Sequence, residues 1–169
     1  MKKFIFSLLL APVIMTSCGN REYAYNESAA ANYYLVSNQL EEYYQKFIDG
    51  EYKTKFEYNN DEFVNSNPVA VAARNLKNNT ATTKEHFNLL KPSVNAQAFH
   101  NKTLEYFNLV EGDFSNALQS YADLNCDCPA EKDSISLLIK NLYSRISTIE
   151  DQCLEEQKKY IEAIGMRGK

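Results

Sequence analysis

Residues 129–165, PAEKDSISLLIKNLYSRISTIEDQCLEEQKKYIEAIG, decide how this chain folds. Ile135, Leu138/Ile139, Leu142, Ile146, Ile149, Cys153, Tyr160 and Ile164 keep one phase of three- and four-residue steps, which is one face of an α-helix. Pro129 stands in the first turn, where a missing N–H costs nothing, and Gly165 suits the residue that ends the helix. At 1.5 Å per residue such a helix is about 50 Å long. A rod that long with one apolar stripe needs partners of similar length, so the rest of the chain is read for them.

They lie upstream. A third helix is predicted from about Asn95 to Leu124, with Phe99, Thr103, Tyr106/Phe107, Val110, Phe114, Ala117 and Tyr121 in phase. The phase passes through Gly112, which predicts a continuous or mildly kinked helix although Gly costs about 1 kcal/mol there relative to Ala. A second helix opens on Asn67-Pro68, carries Val69, Ala72, Leu76, Thr80, Thr83, Phe87 and Leu90, and is ended by Pro92. A first helix runs from a Ser28 cap to Asp49, with Tyr33, Val36, Leu40, Tyr43/Tyr44 and Phe47 on its stripe and Gly50 as its stop. Residues 51–66 read as a packed loop containing the turn signal Asn59-Asn60-Asp61 and a helical turn around Asp61–Asn65. The expected role of this loop is a lid over the bundle end; since long ordered loops are often functional, it is also the best loop for partner contact. Two of the three connections are short, so the pattern predicts an all-α fold: an antiparallel four-helix bundle over residues 29–166.

Charge and composition exclude some functions. The chain has 169 residues and a formal net charge of −4. Nucleic-acid binding needs a basic surface, so nucleic acid is not an expected partner. Glycine-rich phosphate loops, nucleophile elbows and zinc-protease helices do not occur in the sequence, and no cofactor is expected.

The cysteines and histidines are the candidates for chemistry. Cys126 and Cys128 share the turn before Pro129, and can form a local disulfide, stay as free or intermolecular thiols, or bind a soft metal. Cys153 lies about 36 Å up the last helix by helical rise, too far for a disulfide to either, since bridged Cα atoms lie within about 7 Å. His86 and His100 flank the Pro92–Val94 turn symmetrically, and in an antiparallel bundle Cys153 falls near their level. His, His and Cys are credible zinc or copper ligands, so His86, His100 and Cys153 are an alternative metal site. A buried free Cys is otherwise a small hydrophobe. Two tyrosine doublets, Tyr33-Tyr34 and Tyr43-Tyr44, each turn one member off the core stripe; boundary packing with the hydroxyls in water is the expected reading, and aromatic surface for a partner the alternative.

The chain begins Met1-Lys2-Lys3, continues through an apolar run from Phe4 to Met15, and reaches Met15-Thr16-Ser17-Cys18. A positive start, a short apolar core and small residues before a cut are the plan of a secretory leader, and the run is too short to span a bilayer. Met15-Thr16-Ser17-Cys18 resembles the lipobox of bacterial lipoproteins. The resemblance implies that residues 1–17 are a signal peptide and that Cys18 carries the lipid. It also implies that residues 18–28 form a lipid-anchored spacer holding the domain roughly 15–20 Å from the membrane, if they behave as a flexible coil. Removing Lys2 and Lys3 with the leader takes the net charge from −4 to −6. Gly19 and Asn20 follow the cysteine instead of the aspartate that retains enterobacterial lipoproteins on the inner membrane, so the family rule implies the outer membrane.

Together these readings point to a lipid-anchored cell-envelope protein with a non-catalytic binding or scaffolding role, its partners being the membrane and an envelope protein. The alternative is a metal- or small-ligand-binding helical bundle.

Overall fold

A computed structural model describes residues 17–52, 55–59, 62–124 and 128–165, with side chains described outside 17–20 and 55–66. Four long helical segments pack around one core: α1 (Ser17–Ile48), α2 (Pro68–Leu89), a composite third rod, and α5 (Pro129–Ala163). The third rod is α3 (Gln97–Leu109), a π-helical turn (Val110–Phe114) and α4 (Ser115–Asp123), unbroken from end to end. A hairpin, β1 (Lys55–Asn59) and β2 (Glu62–Ser66), links α1 to α2. Among the described residues no helix is long and apolar enough to cross a membrane.

The stripes read from the sequence supply the core, apart from Leu138 on the last stripe, which is 47 % exposed. Tyr33, Val36, Leu40, Leu76, Thr80, Phe87, Phe99, Tyr106, Phe107, Val110, Phe114, Ile139, Ile146, Cys153 and Tyr160 are all buried. The expected boundaries of α2 also hold, for the expected reason. Asn67 Oδ1 accepts from Val69 N–H at 3.0 Å and Ala70 N–H at 3.4 Å, and Pro68 fills the first turn. The Asn67 amide also donates to Ala122 O, which ties the start of α2 to the end of α4. Gly50 and Gly165 both adopt positive φ after their helices, 65° and 71°, where an L side chain would be strained.

Gly112 falls inside the π turn. Ser115 N–H reaches back to Val110 O, and Ser115 Oγ donates to the same carbonyl at 2.7 Å. One extra residue is thereby absorbed without ending the helix, which is how the stripe passes from Val110 to Phe114 and Ser115 and stays inward.

Two expectations are corrected. Residues 62–66, expected to hold a helical turn within a loop, form strand β2, paired antiparallel with β1 in the register Lys55↔Ser66 to Asn59↔Glu62. The run is rich in Phe, Tyr and Val, which favour extended backbone, and the strands flank the Asn-Asn-Asp signal as a hairpin would. The second correction concerns residues 18–28, expected to be a spacer outside a domain starting at 29. α1 begins at Ser17 and runs through them as helix. Tyr25 and Ala29 are buried, so the folded unit starts well before Ser28.

Cross-contacts between α1 and α5 run in opposite numerical senses. Glu22 meets Tyr160, Asn26 meets Gln157, Tyr33 and Ser37 meet Glu150, and Glu41 meets Tyr143. These contacts are made by long side chains, chiefly tyrosine hydroxyls donating to glutamate carboxylates.

Candidate functional site

The lower end of the molecule, where α1 starts, is built around Glu22. Its Oε2 accepts from Tyr160 Oη of α5 at 2.7 Å and from Ser93 Oγ of the α2–α3 turn at 3.0 Å. Tyr160 Oη also reaches the Glu22 carbonyl at 2.8 Å. One turn on, Tyr25 packs edge-on against Tyr160 and its hydroxyl lies 3.0 Å from His100 Nδ1. Three elements therefore meet on the first turns of α1. The sequence did carry a signal for this, because Tyr25, Ala29 and Tyr33 continue the three-four stripe upstream of Ser28.

Cys18 lies on this helix four residues before Glu22, in the part of α1 whose side chains are outside the described set.

His86, His100 and Cys153 are not brought together. Among the described residues no group of three His, Cys, Asp or Glu side chains is placed to hold a metal ion. His100 is buried, its ring stacked on Phe87 at 4.5 Å and 15°. Burial lowers its pKa, so the neutral ring, with Nδ1 hydrogen-bonded to the Tyr25 hydroxyl, is the stable form. His86 is exposed on α2, in the wall of a groove shared with α1. Adjacent residues on a helix point about 100° apart, and here Phe87 takes the inward direction. Cys153 is buried, and desolvation pushes its thiol up to about 12, so it is a neutral small hydrophobe. Cys128 is disulfide-bonded, whereas Cys126 lies outside the described residues.

Mid-way along α1 and α5, Glu150 Oε1 accepts from Tyr33 Oη and Ser37 Oγ, each at 2.7 Å. Burial, and then this carboxylate, raise the Tyr33 phenol well above its usual range, which fixes it as a donor. Near the upper end Tyr143 donates to Glu41 and stacks on Tyr44 with ring centroids 3.6 Å apart. So the second tyrosine doublet is taken up in packing, while in the first Tyr33 is buried and Tyr34 is half exposed.

A groove of about 470 Å³ runs between α1 and α2, lined by Leu35, Asn38, Gln39, Asn79, Thr82 and His86 among others. Its wall is amide, hydroxyl and imidazole with the Glu42 carboxylate among them, and Leu35 is 61 % exposed at its edge. Such a surface can hydrogen-bond a backbone or a polar side chain and offer one apolar contact; it has the makings of a protein-contact face.

The chain matches no family model, no curated protein and no solved structure.

Proposed function

We propose that this chain is a lipid-anchored protein of the bacterial cell envelope. Residues 1–17 are its signal peptide, Cys18 carries the lipid, and the helical domain binds or scaffolds an envelope partner without catalysing a reaction. The sequence Met15-Thr16-Ser17-Cys18 at the end of a basic-then-apolar leader is the observation that carries this reading. Gly19 and Asn20 favour the outer membrane as the destination. The descending order of α5 residues met by α1 supports an antiparallel four-helix bundle as the arrangement. The α1–α2 groove, with Tyr34 and Leu35 exposed next to it, supports a partner-binding role.

Two measurements test it. Cells fed a clickable fatty acid should label the wild-type chain, and Cys18→Ala should abolish the label and release the protein from membranes with its melting temperature unchanged. An unlabelled wild-type chain sinks the anchor. For the partner, a photo-crosslinker at Leu35 in living cells should capture an envelope protein, and Asn38→Arg in the groove should prevent it. Labelled, membrane-bound protein that crosslinks to nothing at Leu35 would refute the binding face.

A further inference from the structure

Val94 in the α2–α3 turn is 95 % exposed and Leu89, at the end of α2, is 77 % exposed, the two highest values among the described large hydrophobic residues. A single exposed hydrophobe is ordinary, but two of them stand at one end of the molecule, and which end it is can be read from Glu22. Ser93 Oγ donates to Glu22 Oε2, so the turn is level with Glu22, four residues along α1 from Cys18. Four helical residues rise about 6 Å. The headgroup layer on each side of a bilayer is about 5–8 Å thick. A lipid joined through the Cys18 sulfur holds that residue at the base of this layer, and the helix carries no slack between Cys18 and Glu22. Tyr23, half exposed, stands beside Glu22, where an aromatic ring with a polar tip suits the headgroup level. Arg21 and Lys91 are exposed at the same end, and Glu22 and Glu162 carry the two opposite charges there, so apolar contact and not net charge favours the membrane.

We propose that the α2–α3 turn, through Val94 and Leu89, docks in the headgroup layer of the bilayer that holds the Cys18 lipid, so that the bundle stands end-on against its membrane. The inference rests on the lipid-anchor reading. A protein tethered by a coil would sample all orientations, whereas this one has a fixed lower face.

The chain contains no tryptophan, so Val94→Trp supplies a single emitter, with exposed Ala130→Trp near the opposite end of α5 as its control. Each lipidated full-length variant is purified from membranes and placed in phosphatidylethanolamine–phosphatidylglycerol vesicles, with or without lipids brominated high on the acyl chain. Fatty-acid incorporation is measured on the same samples. The docking predicts a blue-shifted Val94→Trp emission that loses about half its intensity or more to brominated lipid, and an Ala130→Trp emission that does neither. Lipid on the protein with both probes in water overturns the docking and leaves the anchor standing. A blue shift at Val94→Trp without quenching means that a second copy or another protein covers the turn, and overturns the docking as well. No lipid on the protein overturns both readings.

Discussion

Replacing Glu22 with Ala tests whether the first turns of α1 belong to the folded unit. The carboxylate accepts two hydrogen bonds, from Tyr160 at 2.7 Å and Ser93 at 3.0 Å. Hydrogen bonds to a charged group contribute about 1.5–3 kcal/mol each when buried. Glu22 is only partly buried, and after truncation Tyr160 keeps the Glu22 carbonyl while Ser93 gains water. The two losses together should therefore cost about 1–2 kcal/mol, near the lower end of that range. For a domain of this size that is roughly a 2–8 °C fall in melting temperature. The assay is thermal and urea unfolding followed by circular dichroism, with Arg21→Ala as an exposed neighbour expected to change little. A double-mutant cycle with Tyr160→Phe should give a coupling of about 1 kcal/mol between the two sites. Losses that simply add, or a Glu22→Ala variant as stable as wild type, would show that residues 17–28 are held no better than a spacer.

Three further outcomes follow from the core. His100 has a lowered pKa in the fold, so below its unfolded value of about 6.5 the unfolded chain takes up a proton that the folded chain resists; stability is then complete above that pH and is lost as pH falls through and below it. Melting temperature should thus drop between pH 7.5 and 5.5, and His100→Gln should flatten that slope while lowering stability at pH 7.5; an unchanged slope would assign it to other groups. Gly112→Ala should stabilise the protein by about 0.5–1 kcal/mol, because its φ is not positive and an added Cβ meets no atom within 4 Å; destabilisation in urea unfolding would mean that the π turn requires glycine. Cys153 should react with a disulfide reagent at least ~100-fold more slowly in the native protein at pH 8 than in denaturant, and fast native labelling would contradict its burial.

The helical plan was legible because each stripe obeys one period and because its ends carry specific residues: Asn67 and Pro68, Pro129, Gly50 and Gly165. What was missed failed for identifiable reasons. Polar residues between Gly19 and Ser28 suggested a coil, yet Tyr25 and Ala29 were in phase with Tyr33, and Glu22 gains its place only through Ser93 and Tyr160, 71 and 138 residues away. The hairpin was obscured because aromatic residues over 52–63 fit a packed loop as well as strands, and short apolar runs do not distinguish the two. The π turn left no trace in the spacing, since Val110, Phe114 and Ala117 keep steps of four and three across it. His86 and His100 illustrate the limit of level without direction. They are at matching heights, but Phe87 takes the direction toward His100 and His86 lines the α1–α2 groove instead.

The unbroken run of α1 from Ser17 to Ile48 makes it a ruler. Its 32 residues span about 48 Å, so the segment that leads into the hairpin is kept at a set height above Cys18. With a coil, inserting or deleting a few residues would alter that height only as a weak root of chain length. With a helix, each turn removed lowers it by about 5 Å, and each single residue removed swings the stripe by about 100° off its partners. Reach in this protein is thus quantised by helical turns, and length changes in α1 are tolerable only in steps that preserve its phase.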